Sequence, residues 1–369
     1  MAEKTSKKPF DFLLFMTVLI LLCLGSIMVF SAGAPQANNV MGDTYYFIKK
    51  QLMYLPLAFL AMFVTMNIDY RKLGKWSPVF LVASVVLLAL VPVIGVEHNG
   101  AQRWINLGVT EFQPSEIAKL SVILFFSYSL SKRKNRLESF LYGLLPYLLI
   151  LGVYGGLLLI EPHLSGTIVI FGVACIILFA AGAKIMHFIF LSFPAIAGLG
   201  ALVYYFPYRR VRLISFLNPF EYMQGDGYQV VQSLYAIGSG GFFGRGLGKS
   251  MQKFLYLPEP YNDFIFSVLA EEMGFVGVVA VLLLFVVFIW RGAKIAIKAP
   301  DAFGSLVAIG ITSLIAIQVI INVAVVTSSM PVTGMPLPLF SHGGTSLIFL
   351  MSGIGILLNI SRYSNYERI

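Results

Sequence analysis

Long apolar runs separated by short polar segments dominate this chain of 369 residues. A helix needs about 20 mostly apolar residues to cross the hydrocarbon core of a bilayer. Windows of that length predict ten spanning helices, at residues 10–32, 50–67, 77–95, 114–130, 140–160, 165–182, 186–206, 264–290, 303–326 and 343–360. A long loop, at about residues 208–263, separates the seventh span from the eighth. The pattern predicts an all-α fold, with one membrane domain over residues 1–369 built as a polytopic bundle of about ten helices.

The composition agrees with this prediction. The chain is 58% apolar and 12% charged, with a mean hydropathy of +0.84, and these values exclude an ordinary soluble domain. The net charge is +9, but the basic residues are scattered between apolar segments, so a nucleic-acid surface is not indicated. Cys23 and Cys175 each lie inside an apolar run, which indicates neither a disulfide framework nor a metal site.

The charges between the spans predict an orientation. Basic residues collect on one side of the predicted bundle, at Lys4, Lys7, Lys8, Arg71, Lys72, Lys75, Lys132, Arg133, Lys134, Arg136, Lys184, Arg291, Lys294, Lys298, Arg362 and Arg368. Because cytoplasmic loops carry an excess of Lys and Arg, we expect both termini in the cytoplasm. The first span is longer than the apolar core of a signal peptide, so we expect an uncleaved anchor. The loop 208–263 also carries cations, but loops approaching this length are weak topology signals.

The stretch Tyr256–Gly277 carries four acids, at Glu259, Asp263, Glu271 and Glu272, just before the charge-free run Met273–Trp290. Asp263 heads a stripe of small residues at helical spacing, made of Ser267, Ala270, Gly274 and Gly277. Such a stripe lets helices approach closely in a bilayer. Asn262 or Asp263 is a candidate N-cap for the following helix. Alternatively, Asp263 is a proton-transfer carboxylate near the membrane surface, and the local sequence leaves both interpretations open.

Other polar residues fall, like Asp263, on the predicted outer side of the bundle, opposite the cytoplasmic basic residues. Glu116 and Lys119 are three residues apart and can pair on one helix face, either to lock two helices or to form the polar wall of a cavity. Arg103 and Trp104 suit an interface anchor, or a cation beside a stacking surface for a sugar. His342 lies in a loop rich in proline and glycine, where irregular backbone can line a cavity.

The segment Gly238–Lys249 is rich in glycine and allows close approach of the backbone. Arg245 and Lys249 add positive charge, which suits an anion such as a phosphate. The spacing is not that of a Walker motif, so the segment alone is a weak signal. Because Glu259 and Asp263 follow closely, the sequence predicts a base beside an anion site.

Several of these segments resemble the SEDS family (shape, elongation, division and sporulation), whose branches include FtsW, RodA and SpoVE. The motifs run in order along essentially the whole chain: NGAQRWI, QPSEIAK, EPHLSGT, GGFFGRGLGKSMQKFLYLPEPYNDFIFSVLAEEMG and PVTGMPLPLFSHGGTS. The EPHLSGT turn is most similar to the FtsW and SpoVE branches of endospore-forming bacteria. His163 stands in this turn where RodA-like members have an acid, which argues against a catalytic role for that position.

The resemblance implies a ten-helix fold with cytoplasmic termini, in the bacterial cytoplasmic membrane. It implies a peptidoglycan glycosyltransferase that polymerises lipid II at the outer face of that membrane, in division or sporulation. It also implies a class B penicillin-binding protein, a transpeptidase, as a partner. The family's essential acid falls on Asp263, and its cavity pair falls on Glu116 and Lys119.

From these assignments we expect Asp263 to accept the proton of the attacking sugar hydroxyl of lipid II. The leaving group would be the diphosphate of a polyprenyl diphosphate-linked glycan. We expect Arg245 and Lys249 to stabilise its charge, with Arg103 in reserve. A divalent cation such as Mg²⁺ or Mn²⁺ is a further candidate for that task, although no metal ligands are assigned. The expected substrate-binding set is completed by Trp104, Glu116, Lys119, Glu259 and His342.

Two other functions are compatible with the sequence. A flippase would move lipid II across the membrane without chemistry, and a Glu116–Lys119 pair inside a span suits a transport path. These charged residues cluster on the outer side of the bundle, which argues against a path that is lined from both faces. A scaffold that only recruits a transpeptidase predicts that loss of Asp263 leaves cell-wall synthesis intact.

Overall fold

A computed structural model of the chain describes residues 9–98, 101–106, 108, 110–132, 137, 139–205, 207–225, 227–254 and 256–364. Each of the ten predicted spans coincides with a helix. These helices are α1 (Phe12–Met41), α2 (Tyr46–Asn67), α3 (Tyr70–Ile94), α4 (Pro114–Lys132), α5 (Leu145–Ile160), α6 (Leu164–Ala180), α7 (Ile185–Tyr205), α10 (Ile265–Ile297), α11 (Ala302–Val326) and α12 (Gly344–Tyr363). A π-helical turn, Phe140–Leu144, leads directly into α5.

Most of these helices are suited to a bilayer. In the described part of the chain, seven are long and apolar enough to span a membrane: α1, α2, α3, α5 with its π-helical turn, α10, α11 and α12. Apolar side chains such as Val79, Val82 and Val86 remain exposed along α3, as expected where a helix meets lipid. The chain is therefore a multi-pass membrane protein, and the prediction of an all-α bundle is confirmed.

The spanning helices share one continuous apolar core. The pair α2 and α12 packs with its backbones close together, because Gly355 leaves no side chain between them. A Cβ atom at Gly355 would lie 2.3 Å from the carbonyl oxygen of Met62. The hydroxyl of Thr65 also donates across this contact to the carbonyl of Ser352, at 2.9 Å. Close approach of this kind is typical of helix pairs in membranes, where small residues dominate the interface.

Two connecting segments contain regular structure that the hydrophobic pattern does not predict. Between α3 and α4, three short strands form an antiparallel sheet in the order β1 (Val96–His98), β2 (Ala101–Asn106) and β3 (Glu111–Phe112). The predicted loop at 208–263 is partly helical, with α8 (Pro207–Leu217) and α9 (Tyr228–Gly240). These elements are too short for a search window of about 20 residues, which explains why the pattern misses them.

Both ends of the described chain lie at one end of the bundle, here called the terminal end. Asp11 precedes α1 and pairs with Arg291 of α10, with 2.6 Å between Oδ2 and Nη2. The main-chain N–H of Asp11 donates to the hydroxyl of Ser361 in α12. The opposite end, here called the loop face, carries the β-sheet, the α5–α6 turn, the described residues of the segment 218–264 and the segment 327–343. Several basic residues that predict the orientation lie outside the described residues: Lys4, Lys7, Lys8, Arg133, Lys134, Arg136 and Arg368.

Helix α10 is interrupted at Gly274, whose φ of 64° and ψ of −165° are not helical. The glycine-rich segment after α9 is joined to this break by main-chain hydrogen bonds. They run from Phe275 N to Gly241 O, from Val276 N to Phe242 O, from Arg245 N to Glu271 O and from Gly246 N to Glu272 O. Only glycine fits at Gly274 and at Gly244, because a Cβ atom at either would lie 2.2 Å from the other segment's backbone. The segment therefore satisfies backbone groups that an interrupted helix would otherwise leave without partners.

Candidate active site

Asp263 lies on the loop face, two residues before α10 begins. The N-cap position of α10 is Phe264, and no side chain caps the helix. The prediction that Asn262 or Asp263 acts as N-cap is therefore wrong. The carboxyl group of Asp263 is partly buried, and among the described residues none donates a hydrogen bond to it. An acid placed in this way is available for chemistry.

The backbone around Asp263 is held by hydrogen bonds from two other parts of the chain. Three consecutive carbonyls accept bonds, from His342 N to Tyr261 O (3.0 Å), from Ser341 Oγ to Asn262 O (2.6 Å) and from Asn322 Nδ2 to Asp263 O (2.8 Å). Asn322 also donates to the carbonyl of Met335, at 2.8 Å. The loop before α12 therefore lies directly over the acid. A Cβ atom at Gly334 would stand 3.3 Å from Oδ2 of Asp263.

The electrostatic surroundings raise the pKa of Asp263 to about 7. Burial is the main cause, because it penalises the charged form, and the negative charge of Glu259 adds to it. The positive charge of Arg103 acts in the opposite direction. A carboxyl group with a pKa near 7 is substantially ionised at neutral pH and still basic enough to take up a proton.

Arg103 extends from β2 towards the turn between α5 and α6. Its Nε donates to the carbonyl of Glu161, at 3.4 Å, and its Nη2 donates to the carbonyl of Pro162. Trp104 follows on the same strand, partly buried, and is paired with Val96 of β1. The sheet therefore brings Arg103, the expected reserve cation, into the neighbourhood of Asp263. The cation and the acid belong to segments about 160 residues apart in the chain.

The α5–α6 turn carries two buried polar side chains, Glu161 and His163. Glu161 is 2% exposed, and within the described part of the chain neither of its carboxyl oxygens has a hydrogen-bond partner. Burial raises the pKa of Glu161 to about 8, and the charge of Arg103 lowers it in part. His163 is also buried, with Nε2 placed 3.3 Å from the side-chain amide of Gln113. Burial first, and then the charges of Arg103 and Lys119, hold the pKa of His163 well below its usual range.

Glu116 and Lys119 form the ion pair that their spacing predicts. The distance between Nζ and Oε1 is 2.7 Å, and both side chains are largely buried. Glu116 also lines a narrow cleft with Gln318 and residues 336–339. The same loop therefore bounds this cleft and lies over Asp263.

Arg245 and Lys249 have different surroundings. Arg245 pairs with Glu271, with 3.5 Å between Nη1 and Oε1, and its Nε donates to the carbonyl of Ser239. At about 1.5 Å per residue, Glu271 lies roughly 9 Å along α10 from its first residue. Lys249 is exposed. Among the described residues, the charges that shift the pKa of Asp263 are those of Glu259 and Arg103, and neither Arg245 nor Lys249 is one of them.

A separate buried network surrounds Glu271 and Glu272. The donors to Glu271 are Ser250 Oγ, Met251 N and Gln252 N, and the donors to Glu272 are Ser31 Oγ, Ser250 N and Lys253 Nζ. Lys253 lies 2.8 Å from Glu272 and is 3% exposed. Along the small-residue stripe of α10, the hydroxyl of Ser267 contacts that of Ser233 in α9 at 2.7 Å, and Gly274 lies against Gly244. The stripe therefore packs against α9 and the glycine-rich segment.

His342 contributes its backbone to the site more than its ring. The ring lies edge-on to Phe47 and Tyr261, and its Nδ1 is buried with no hydrogen-bond partner among the residues that the structure describes. Burial and the charge of Lys50 lower the pKa of His342 to about 4, so the ring is neutral at pH 7. Among the described residues, no group of three or more His, Cys, Asp and Glu side chains is arranged to hold a metal ion.

Comparisons with known proteins agree over almost the whole chain. A family model for FtsW, RodA and SpoVE, described as "Cell cycle protein", matches residues 11–366. Stage V sporulation protein E of Bacillus subtilis (strain 168) is 47% identical over 366 residues, covering 98% of this chain and 100% of the relative. The probable peptidoglycan glycosyltransferase FtsW of Geobacter sp. (strain M18) is 42% identical over 354 residues, covering 95% and 96%.

Solved structures show the same architecture. A chain from a peptidoglycan synthase complex, studied for the coordination of polymerization and crosslinking, matches with a TM-score of 0.81 and 32% identity. That match covers 96% of this chain and 98% of the other. The rod shape determining protein RodA of Thermus thermophilus matches with a TM-score of 0.72 and 30% identity, covering 97% and 98%.

Proposed function

Because the chain belongs to the FtsW/RodA/SpoVE (SEDS) family, we propose that it is a peptidoglycan glycosyltransferase that polymerises lipid II into glycan strands. Relatives that are named for this activity match nearly the full length of the chain. The observation that carries the mechanism is Asp263, a partly buried acid with a pKa near 7 and with Arg103 acting on it. Relatives of the division and the sporulation branch are both similar to this chain, so the process it serves stays a choice between the two.

In the proposed reaction the acceptor is lipid II, and the donor is a growing glycan on a polyprenyl diphosphate. The 4-hydroxyl of the acceptor sugar attacks the anomeric carbon of the donor while Asp263 takes up the hydroxyl proton. The bond between the anomeric carbon and the diphosphate oxygen breaks, and the diphosphate leaves with the bonding electrons. Arg103 stabilises the negative charge that develops on the leaving group.

The remaining expected residues keep supporting roles in this proposal. Glu116, paired with Lys119, supplies a polar wall to a cleft that the loop over Asp263 also borders. Trp104, which follows Arg103 on β2, stays a predicted stacking surface for a sugar. Burial is the main cause of the raised pKa of Asp263, and the charge of Glu259 adds to it. Arg245 and Lys249 stay predicted diphosphate ligands with weaker support than Arg103, because Arg245 is committed to Glu271.

The proposal also covers orientation and partner. We place the loop face on the outer side of the cytoplasmic membrane, with both termini in the cytoplasm, because the basic residues predict that topology. The apolar helix faces would hold the polyprenyl chains of both substrates. The similarity to a chain of a peptidoglycan synthase complex supports assembly with a second enzyme, for which we propose a class B penicillin-binding protein.

The decisive experiment measures lipid II polymerisation by the purified protein with its partner. Replacing Asp263 by Asn keeps the shape of the side chain but removes the base, so the rate should fall about 10²- to 10⁴-fold. The variant should remain folded. The raised pKa of Asp263 means that its ionised form disfavours the native state as pH rises from about 4 to 7, so the neutral amide should not lower Tm.

Asp43→Asn is the matched control, since Asp43 is an acid of another connecting segment that pairs with Lys49 at 2.8 Å. This control should polymerise at the wild-type rate. Normal polymerisation by a folded Asp263→Asn protein would refute the mechanism. Translocation of labelled lipid II without glycan formation would favour the flippase instead.

A further inference from the structure

Three phenylalanine rings form an exposed apolar group where the glycine-rich segment meets α10. Phe242 and Phe243 belong to that segment, and Phe275 directly follows the break at Gly274. The ring centroid of Phe242 lies 4.9 Å from that of Phe243 and 5.7 Å from that of Phe275. The exposed fractions of the three residues are 59%, 79% and 58%. This group, here called the phenylalanine cluster, would be costly to leave in water.

The cluster continues the side of α10 that is exposed along the spanning part of the helix. Val276, Leu283, Val286 and Trp290 are all exposed. They are spaced by seven, three and four residues, so they lie on one face of the helix. An apolar face left exposed on a spanning helix meets lipid. Because Phe275 adjoins Val276, the phenylalanine cluster stands at the loop-face end of this lipid-facing surface.

The length of α10 indicates how deep the cluster lies. The charge-free part from Phe275 to Trp290 has 16 residues and is roughly 24 Å long, at about 1.5 Å per residue. Charged residues begin at Arg291, and Lys294 lies over the ring of Trp290 at 5.3 Å, so the hydrocarbon core ends near Trp290 at the terminal end. That core is about 30 Å thick. It must therefore extend roughly 6 Å beyond Phe275 towards the loop face, past the break in α10.

The polar groups around the break are satisfied within the protein, as this depth requires. Main-chain hydrogen bonds from the glycine-rich segment close the break, and lipid could not supply them. The carboxylates of Glu271 and Glu272, just before the break, pair with Arg245 and Lys253. Charged residues at membrane depth are paired in this way. Lys249 is exposed, and its apolar stem is long enough for the ammonium group to reach the headgroup level.

We propose that the phenylalanine cluster is immersed in the leaflet at the loop face, where it contacts the acyl chains of membrane phospholipids. The glycine-rich segment is then a re-entrant element that dips into the bilayer, instead of a loop in water. The bilayer covers the three rings, and the hydrogen bonds to the break hold the segment at that depth. Immersion of the cluster does not depend on the proposed glycosyltransferase activity.

The test measures depth with a nitroxide spin label on the full-length chain, in nanodiscs of phosphatidylethanolamine and phosphatidylglycerol. Cys23 and Cys175 are first replaced by Ala, and Phe243→Cys then carries the label. Oxygen concentrates among acyl chains, whereas a water-soluble nickel chelate is excluded from them. The ratio of the two collision rates therefore reports the depth of the label.

Two labelled positions calibrate this ratio. Leu283→Cys lies on the lipid-facing side of α10, and Lys49→Cys replaces an exposed residue that pairs with Asp43. The ratio at position 243 should be close to that at position 283 and several-fold higher than that at position 49. Phe243→Cys should fold, because the joint between the segment and α10 is made by backbone atoms. Thermal melting checks this, and Phe242→Cys is the second site for the label.

A photo-reactive benzoylphenylalanine at position 243 identifies what covers the ring. In the same nanodiscs, with and without the penicillin-binding protein, illumination should give an adduct with the mass of a phospholipid. The adduct is detected by mass spectrometry of the intact chain. No lipid II is added, so phospholipid is the lipid available for crosslinking.

Two results would overturn the immersion of the cluster. A collision ratio at position 243 equal to that at position 49 would place the rings in water. Crosslinks to the penicillin-binding protein or to a second copy of the chain, in place of lipid, would assign the rings to a protein interface. Failure of the proposed function is recognised separately, because normal polymerisation by Asp263→Asn would change neither the collision ratio nor the crosslinked product.

Discussion

Two groups of acids on or near α10 have opposite surroundings. Glu271 and Glu272 are fully buried, and serine hydroxyls, main-chain N–H groups, Lys253 and Arg245 satisfy them. Asp263 lies about two helical turns away, and the structure shows no hydrogen-bond donor for its carboxyl group among the described residues. Acids that accept several hydrogen bonds join segments together, whereas an acid without such donors keeps its capacity to bind a proton. Position in a membrane helix therefore does not by itself identify the reactive carboxylate.

The largest expected effect tests the hydrogen-bonded acids, Glu271 and Glu272. Lys253→Met leaves Glu272 buried without its cation, and breaking a buried ion pair costs about 3–5 kcal/mol of the free energy of unfolding. The variant should show a clearly lower Tm in detergent. Lys249→Met is the matched control, since this neighbouring lysine is exposed, and its Tm should not change. An unchanged Tm in Lys253→Met would mean that the network does not stabilise the fold.

An intermediate effect separates the two arginines. Arg103→Ala should lower kcat/KM for polymerisation about 10- to 100-fold, the value of a hydrogen bond to a charged group. Arg245→Ala should lower Tm, because Glu271 loses its cation, and should change kcat/KM less than threefold. If activity depended on Arg245 instead, the diphosphate-binding site would be assigned to the glycine-rich segment.

The smallest expected effect concerns the acid side of the pH profile. Asp263 acts as a base only when ionised, and its pKa is about 7. The ionised fraction, and with it kcat/KM, should therefore be about fivefold lower at pH 6 than at pH 7. Glu259→Gln removes a negative charge that raises this pKa, so the limb should move to lower pH. A limb that stays in place would show that another group controls it.

The sequence predicts the spanning helices well, because each buries or exposes a long apolar run whose length is set by the bilayer. It also predicts the Glu116–Lys119 pair, since residues three apart on a helix meet regardless of the rest of the fold. The importance of Asp263 follows from the motif resemblance, while local pattern alone favours a helix cap equally.

Long-range contacts are what the pattern does not predict. Ser31 and Glu272 are 241 residues apart in the chain and 2.7 Å apart in the structure. Asn322 lies in an apolar span, and nothing in the local sequence indicates that its side-chain amide donates to the carbonyl of Asp263. Glu161 lies in a short turn between two spans, and the sequence does not indicate that its carboxyl group is buried there.

The joint between the glycine-rich segment and the interrupted helix is made by backbone atoms. Most side chains along that segment can therefore be exchanged without loosening it, provided that the glycines in close contact at the joint, Gly240, Gly244 and Gly274, are kept. The exposed rings of Phe242 and Phe243 belong to this replaceable part. The side chains on the surface of the glycine-rich segment can therefore change during evolution to suit new binding partners, while the backbone that supports the acid stays the same.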